Sequence, residues 1–385
     1  MATPSSERAT LTWEEVRTLY PGAADVAYLD SAAVGLISSR VRDAMTAVLT
    51  EHQQHGIAAA PSWRGHARSV RVSVARLVGG RADQVAFTQN TSTGLATVTN
   101  GLDWRDGDNV VVPAGEFPSN FYPWLHLRRR GVQVREVAMV DGQARVDDVL
   151  AALDHRTRVL AVSAVQYSSG HRYDLGEFGA ACQNSDVLLV VDGTQAVGAV
   201  TVDAELLGID VLAVSAHKWM LGPFGIGFTH LSQRAMQRLT PSTVGWLSVE
   251  DPFTFDHEPR LAEDGRRFES GTENSAGIAG LGATVDLVHG LDRQRVEDRV
   301  LDRAAELATL LEEVGMDVHL PARRDRRSGI VIASRPGTPP QVLHDRLLSQ
   351  GVRCSLRGNG LRFAPHYFTS DSDLHRAADT LRHPA

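Results

Sequence analysis

The chain has 385 residues, longer than one typical domain, and its 43% hydrophobic and 22% charged residues are ordinary for a globular protein. A net charge of −7 disfavours a nucleic-acid binder held by phosphate contacts, and no apolar stretch approaches the roughly 18 residues of a transmembrane helix. Two cysteines and an N-terminus without a basic and apolar leader predict a cytoplasmic protein with neither a disulfide scaffold nor a metal site.

Strand and helix patterns alternate over most of the chain. A polar N-terminal arm carries one short amphipathic helix near residues 13–19. Apolar runs predict strands at residues 110–113, 132–137, 159–165, 187–192, 211–215 and 225–229. Periodic segments between them predict helices at residues 41–53, 65–78, 119–130 and 175–183. Several runs are apolar without alternation, which is typical of strands buried on both faces, so we predict a doubly wound α/β domain with a mostly parallel sheet.

The C-terminal part has a different pattern. An irregular segment at residues 241–272 is followed by predicted helices at 275–291 and 296–314. Predicted strands at 329–333, 352–356 and 361–365, a helix at 341–350 and a last helix after Ser370 complete an α+β pattern. The sequence therefore predicts an arm at residues 1–27, a large domain at 28–274 and a small α+β domain at 275–385.

Polar side chains follow three of the predicted strands. After Phe87, the residues Thr91 and Ser92 stand where a helix begins, so their hydroxyls and the free amides of the first turn would suit a phosphate. A simple N-cap is the alternative interpretation. Asp192 ends a second buried strand, where ligands of open α/β sheets bind, although it too would serve as a helix cap.

The third strand end carries Ser215, His217 and Lys218, and Lys218 is the only lysine among 39 Lys and Arg residues. Surface charge is carried equally well by arginine, whereas arginine is always protonated and cannot form an imine. We interpret Lys218 as a residue retained for chemistry. A lysine, a carboxylate and a phosphate site near one another are what pyridoxal phosphate requires.

Six segments in the same order resemble the class V aminotransferase family: NTSTG, GEFPSN, VDGTQAVG, SAHKWMLGPFGIG, FESGTEN and LRFAPHYF. That family belongs to the fold-type I pyridoxal-phosphate enzymes and includes cysteine desulfurases, isopenicillin N epimerase-like proteins and kynureninases. The resemblance extends from Tyr28 to the C-terminus. It implies a large cofactor-binding domain, a smaller C-terminal domain and a homodimer with shared active sites.

The resemblance also implies a role for individual residues. Lys218 would bind the cofactor covalently, and Asp192 would face the pyridine nitrogen. The other implied cofactor contacts are Thr91, Ser92, Ser215 and His217 at the phosphate, Gln195 at the ring hydroxyl, Phe117 stacked on the ring and Thr272 at the phosphate of the neighbouring subunit. The implied substrate contacts are Arg362 at the α-carboxylate and, nearer the substrate or the ring hydroxyl, Gln166 and Tyr167.

One feature departs from the desulfurase pattern. Desulfurases carry a nucleophilic cysteine on a mobile loop before the carboxylate arginine, whereas Cys354 lies in a predicted strand eight residues before Arg362. We therefore expect a C–S lyase that acts by β-elimination on a cysteine-derived S-conjugate in a biosynthetic pathway. An isopenicillin N epimerase-like epimerase is the first alternative, and transamination or decarboxylating deamination is the second.

A non-catalytic, ligand-sensing protein of the same fold is a third alternative. Such regulators carry an N-terminal helix-turn-helix domain, and about 27 residues before Tyr28 are too few for one. A degenerate binding protein would be expected to lose Lys218 or Asp192, and both are present. An amino-acid substrate, with neither nucleic acid nor a membrane as partner, is the resulting prediction.

Overall fold

A computed structural model describes residues 11–382 of the chain. The first ten residues of the predicted arm lie outside the described residues. The α-helices are α1 Trp13–Thr18, α2 Ser39–His55, α3 Ala60–Leu77, α4 Thr91–Gly101, α5 Tyr122–His126, α6 Val146–Ala151, α7 Leu175–Gln183, α8 Gln233–Arg238, α9 Ser275–Leu291, α10 Arg293–Glu313, α11 Pro340–Ser349 and α12 Asp371–Leu381. Short 3-10 helices span Pro21–Ala23, Gly56–Ala59, Ala82–Gln84, Pro118–Asn120, Leu127–Arg130, Gly265–Phe268 and Arg324–Arg326.

The strands form one large sheet, one small sheet and two short pairs. They are β1 Ala27–Tyr28, β2 Val85–Thr88, β3 Asn109–Pro113, β4 Gln133–Val137, β5 Met139–Val140, β6 Gln143–Ala144, β7 Thr157–Ser163, β8 Leu188–Asp192, β9 Val211–Ser215, β10 Gly227–Leu231, β11 Asp317–His319, β12 Val331–Ser334, β13 Val352–Arg353, β14 Ser355–Arg357 and β15 Gly360–Phe363.

The large sheet has seven strands in the order β2-β10-β9-β8-β7-β3-β4. β10 is antiparallel to both of its neighbours, and the other pairs are parallel. β8 and β9 are buried along their whole length, in accord with their continuous apolar sequences. The strand order reverses between β7 and β3, and such a switch point opens a crevice beyond the carboxyl ends of the strands.

The small sheet is antiparallel, in the order β11-β12-β15-β14. β1 pairs in parallel with β13, so the segment entering the large sheet is also joined to the C-terminal part of the chain. Ala27 and Leu29 accordingly pack with Leu343 and Phe363 in a second apolar core, while Ile278 of α9 packs in the core beneath the large sheet. The division of the chain at residues 27 and 274 stays a prediction.

Several predicted elements have other bounds in the structure; the strand predicted at 159–165, for example, is Thr157–Ser163. The helix predicted at 119–130 is divided into short pieces, because Pro118 and Pro123 each occupy the start of a helical segment and prevent one continuous helix. The strand predicted at 225–229 runs from Gly227 to Leu231. The strand predicted at 352–356 is interrupted at Cys354, because β13 pairs with β1 and β14 pairs with β15.

Among residues 11–382, no helix is both long and apolar enough to cross a membrane.

Candidate active site

One cavity of about 380 Å³ lies beyond the carboxyl ends of the central strands. Strand ends and the turns that follow them bring its polar side chains together, and the small sheet contributes two arginines from β14 and β15. Ten of the residues predicted for the site line it: Thr91, Ser92, Phe117, Tyr167, Asp192, Gln195, Ser215, His217, Lys218 and Arg362. The structure therefore brings together residues that are up to 271 positions apart in the sequence.

The half-buried Lys218 and the buried Asp192 are two ionisable residues of the cavity. Burial lowers the pKa of the Lys218 ammonium to about 8, an effect that the Asp192 carboxylate opposes and that Arg362 and Arg357 increase. Burial also raises the pKa of Asp192, while the backbone N–H of Thr194 donates to its Oδ1 at 2.9 Å and favours the carboxylate. A substantial fraction of Lys218 is therefore neutral, and nucleophilic, near pH 8.

The N-terminus of α4 forms the hydroxyl-rich end of the cavity. Asn90 caps the helix, its side chain accepting from the N–H of Thr93 at 2.9 Å. Thr91 Oγ1 lies 2.5 Å from Thr194 Oγ1 and 2.8 Å from Ser215 Oγ. Because these hydroxyls are rotatable donors at the positive end of a helix dipole, they form an anion site.

An aromatic ring covers the lysine. Phe117 follows β3, and Lys218 Nζ lies 4.9 Å from the centroid of its ring. The ring meets Tyr167 edge to face, with centroids 5.3 Å apart. The preceding residue, Glu116, accepts hydrogen bonds from both the backbone N–H, at 2.7 Å, and the hydroxyl of Ser163 on β7. This buried contact attaches the Phe117 turn to the sheet, and burial raises the pKa of Glu116 to about 7.

Two further predicted residues are fixed by their neighbours. Gln195 donates through Nε2 to the carbonyl of Ala32 at 3.0 Å and accepts through Oε1 from the indole N–H of Trp219 at 2.7 Å. These two bonds set the orientation of the Gln195 amide and leave one of its N–H groups available. The His217 ring stacks on Phe224 at 5.0 Å, and burial lowers the pKa of His217.

Arg362 is 1% exposed, yet two of its three nitrogens, Nε and Nη2, have no hydrogen-bond partner among residues 11–382. Its Nη1 donates to the Tyr167 carbonyl at 3.2 Å, and Nη2 lies 3.7 Å from Asp30 Oδ1. Burial and the neighbouring Arg357 lower the pKa of Arg362 to about 10. Buried guanidinium N–H groups are costly when unsatisfied, so this position is built for an anion.

Two predicted residues lie outside the cavity lining. Gln166 is buried, and its Nε2 donates to the Gly115 carbonyl at 3.2 Å. Thr272 is exposed in the irregular segment before α9. Its predicted contact is with a second subunit, so its role stays a prediction.

Four polar residues of the cavity were not predicted from the sequence: Asn90, Ser119, Thr194 and Arg357. Thr194 and Asn90 are each within two residues of a predicted site residue. Their position in the sequence could therefore have predicted that they line the same cavity. Arg357 is separated from Arg362 by a Gly-Asn-Gly turn, which is typical of a hairpin and would have predicted that the two arginines lie near each other.

The donor set of the cavity fits pyridoxal phosphate. A half-buried lysine of lowered pKa, a buried carboxylate and an aromatic ring surround one space. A hydroxyl-lined helix N-terminus lies at one end, and two unsatisfied guanidinium nitrogens of Arg362 are in the same lining.

Comparisons with known proteins agree with this geometry. The sequence model of the family described as Aminotransferase class-V matches residues 27–362. This chain belongs to the class V aminotransferase family, which confirms the resemblance and the prediction of a pyridoxal-phosphate enzyme with an α/β fold of fold-type I.

Two curated relatives carry desulfurase names. A probable cysteine desulfurase of Methanothermobacter thermautotrophicus is 30% identical over 407 residues, covering 96% of this chain and 97% of that protein. A cysteine desulfurase of Salmonella newport is 32% identical over 344 residues, covering 82% of this chain and 81% of that protein.

A solved structure is also similar to this chain. The complex of the cystine C–S lyase C-DES with its reaction product cysteine persulfide has a TM-score of 0.87 at 25% identity, covering 94% of this chain and 99% of that one.

Proposed function

We propose that this chain is a pyridoxal-phosphate-dependent C–S lyase that acts on a cysteine-derived S-conjugate without using a thiol of its own. The observation that carries the proposal is the burial of both cysteines of the chain. Cys182 is fully buried and Cys354 is 6% exposed, and burial raises the pKa of each thiol to about 12. A nucleophilic cysteine requires access and a lowered pKa, so neither thiol is suited to accept sulfur.

Cys354 is also directed away from the chemistry. It lies between β13 and β14 and packs in the apolar core of the C-terminal part, with Ala27, Leu343 and Phe363. Its backbone carbonyl accepts from His344 Nε2 at 3.1 Å, and the residue is not part of the cavity lining. Cys354 therefore serves as a small core residue.

The residues of the cavity would hold the cofactor in one orientation. Lys218 would hold it covalently, Asp192 would pair with its ring nitrogen, Phe117 would cover one face, and the hydroxyls of Thr91 and Ser215 would bind its phosphate. When bound, pyridoxal phosphate supplies an electron sink for the negative charge that develops at the α-carbon of the substrate.

Lys218 Nζ is the group suited to remove the α-proton. Its pKa is lowered to about 8, so part of it is the neutral amine near neutral pH, and a general base combines a correct protonation state with useful basicity when its pKa is near the pH of the reaction. Arg362 would hold the α-carboxylate and so orient the bond to be broken. Its free Nε and Nη2 can form the bidentate contact that a carboxylate prefers.

The overall reaction balances without an oxidant or reductant. The α-proton passes to Lys218, and the Cβ–S bond breaks with its electron pair remaining on sulfur. Water replaces the amino nitrogen, so one conjugate and one water give pyruvate, ammonium and a thiol or persulfide. A thiolate or persulfide leaves unaided, so this reaction requires no protein nucleophile.

The solved lyase with a TM-score of 0.87 supports this reaction, since it is described as a cystine C–S lyase with cysteine persulfide as product. Cysteine desulfurase activity is a second candidate, favoured by the names of the relatives that are 30% and 32% identical. It would require Cys354 to leave the core during each turnover.

Incubation of purified holoenzyme with cystine and with S-substituted cysteines tests the proposal. We expect equal amounts of pyruvate and ammonium, together with a free thiol or persulfide. Transfer of sulfur to a protein cysteine with alanine as the other product would favour a desulfurase. Solvent deuterium at the α-carbon without further products would favour an epimerase.

We also propose a homodimer in the cytoplasm. Support for the dimer comes from Thr272, which the family resemblance assigns to the neighbouring subunit's phosphate and which is exposed in the isolated chain. Sedimentation at micromolar concentration tests it, and a monomer with full activity would exclude shared sites.

A further inference from the structure

Arg357 is a second arginine in the cavity lining, and the family resemblance gives it no role. Its guanidinium Nε is buried and has no hydrogen-bond partner among residues 11–382. Its Nη1 donates to the carbonyl of Leu356, the residue before it, at 2.7 Å. Arg357 is thus held in the cavity with part of its hydrogen-bonding capacity unused.

The hairpin of β14 and β15 fixes how Arg357 and Arg362 are related. Ser355 stands opposite Arg362, and Arg357 stands opposite Gly360. Arg357 is two residues from Ser355, so its side chain leaves the sheet on the same face as that of Arg362. The pair is diagonal, and diagonal neighbours on an antiparallel pair of strands lie roughly 7–8 Å apart. Two guanidinium groups at this spacing suit two separate anionic groups better than one carboxylate.

The charges around the pair support an anion at each arginine. Arg357 contributes to the lowered pKa of Arg362, which shows that the two cations repel each other. Asp30 is the carboxylate nearest to them, and both arginines favour its charged form. However, Ser355 Oγ lies 2.8 and 2.7 Å from its two oxygens, and Asp30 Oδ1 remains 3.7 Å from Arg362 Nη2. One carboxylate held in this way does not satisfy two arginines.

We propose that Arg357 forms a second anion subsite, and that the preferred substrate is a cysteine S-conjugate or disulfide with a carboxylate or sulfonate at the far end of its sulfur substituent. The proposal rests on the proposed function, in which Arg362 takes the α-carboxylate. A substrate with two anionic ends then spans the hairpin, with its Cβ–S bond between the two arginines.

Two matched disulfides test the subsite: those of cysteine with 3-mercaptopropionate and with 3-mercaptopropanamide, which differ only in the distal charge. For wild-type holoenzyme we expect kcat/KM for pyruvate release to be about 10- to 100-fold higher with the carboxylate, the range for a hydrogen bond to a charged group. Arg357→Gln should reduce this ratio to near one, mainly through the carboxylate substrate. Arg353→Gln, on the adjoining strand and outside the cavity, should keep the wild-type ratio.

Two results would overturn the proposal. Equal kcat/KM values in wild-type enzyme would show that no distal charge is recognised. An equal loss with both disulfides in Arg357→Gln would show that Arg357 assists at the α-carboxylate.

A binding measurement separates failure of the subsite from failure of the proposed function. Suberate, a dicarboxylate with as many chain atoms as the test disulfide, and its monoamide lack an amino group and cannot react. Calorimetry on holoenzyme should give a dissociation constant about tenfold lower for suberate, with the difference absent in Arg357→Gln. If neither disulfide is cleaved but this difference is found, the lyase proposal fails and the subsite stands. Equal affinities would overturn the subsite.

Discussion

Lys218 occupies a position that no other side chain of the protein can fill. It is the only lysine in the chain, it is half-buried in the lining of the cavity, and desolvation lowers its pKa to about 8. We predict that Lys218→Arg retains the fold but loses covalent cofactor binding and essentially all turnover, because arginine stays protonated. Borohydride reduction followed by peptide mapping should place the cofactor on Lys218 in wild-type protein and nowhere in the variant. A label on another residue would contradict the assignment.

Asp192 places a carboxylate in the cavity, and a hydrogen bond from the backbone N–H of Thr194 holds it there. We predict that Asp192→Asn still binds cofactor but loses several kcal/mol of transition-state stabilisation, about 100-fold or more in kcat/KM. The reason is that a neutral amide could not hold a proton on the ring nitrogen that the Asp192 carboxylate would face. Steady-state kinetics and a cofactor absorption spectrum measure the two effects separately. An unchanged kcat/KM would mean that Asp192 only caps the turn through Thr194.

Apolar strand patterns predicted Asp192 and Lys218 at strand ends, whereas Arg357 was missed because its place in the cavity depends on a second sheet. Asp192 and Lys218 follow apolar strands, and the carboxyl ends of parallel strands meet at one edge of a sheet. Arg357 lies in the cavity because β14 pairs with β15 and because residues of both sheets line the cavity. The Gly-Asn-Gly turn predicts the hairpin, but it does not predict which cavity the hairpin faces. Cys354 was predicted correctly as a core thiol, but inside a strand, since competing pairings with β1 and β15 leave no local signature.

At the scale of elements, the N-terminus of α4 is expected to contribute both to the stability of the protein and to binding of the cofactor. Asn90 caps this helix through Thr93 and lines the cavity. We predict that Asn90→Ala lowers the free energy of unfolding by about 1 kcal/mol and raises the dissociation constant of the cofactor about two- to fivefold. Urea unfolding and equilibrium titration with pyridoxal phosphate measure these quantities.

Ser232→Ala is the matched control for that prediction. Ser232 caps α8 through the N–H of Ala235, at 3.0 Å, and it follows β10, the strand that runs opposite to the others. It therefore lies at the far edge of the sheet from the cavity. Ser232→Ala should lower the free energy of unfolding by about as much as Asn90→Ala does, without changing the affinity for the cofactor. A similar change in affinity would show that the effect of Asn90 is not local to the site.

At the scale of the whole molecule, His366, which follows β15, connects the C-terminal part to the turn after β9. Its Nε2 donates to the Trp219 carbonyl at 2.9 Å, and its Nδ1 accepts from the N–H of Tyr367 at 2.8 Å. Both ring nitrogens are satisfied only in the neutral form, and burial lowers the pKa of His366 to about 3. Between that value and the unfolded pKa near 6.5, the unfolded chain binds one more proton, so stability falls as pH falls.

Lowering the pH from 7.0 to about 5.5 should reduce the free energy of unfolding of both proteins. We predict that the reduction is about 1 kcal/mol smaller for His366→Asn than for wild-type protein. Urea unfolding of the cofactor-free proteins at the two pH values provides the comparison. His366→Asn should be less stable at pH 7.0, because the imidazole fills its site, yet its stability should depend less on pH. An identical dependence in both proteins would mean that His366 is protonated in the folded state.

The most direct test of the lyase proposal compares wild-type enzyme with the cysteine-free variant Cys182→Ser/Cys354→Ser. During turnover of a cysteine disulfide, both holoenzymes should release pyruvate at rates within about threefold, the margin allowed for a stability loss of about 1 kcal/mol per buried hydroxyl. Mass spectrometry of quenched wild-type enzyme should find no added sulfur on Cys354. A one-sulfur adduct on Cys354 that passes into product, together with loss of sulfur release in the variant, would contradict the account.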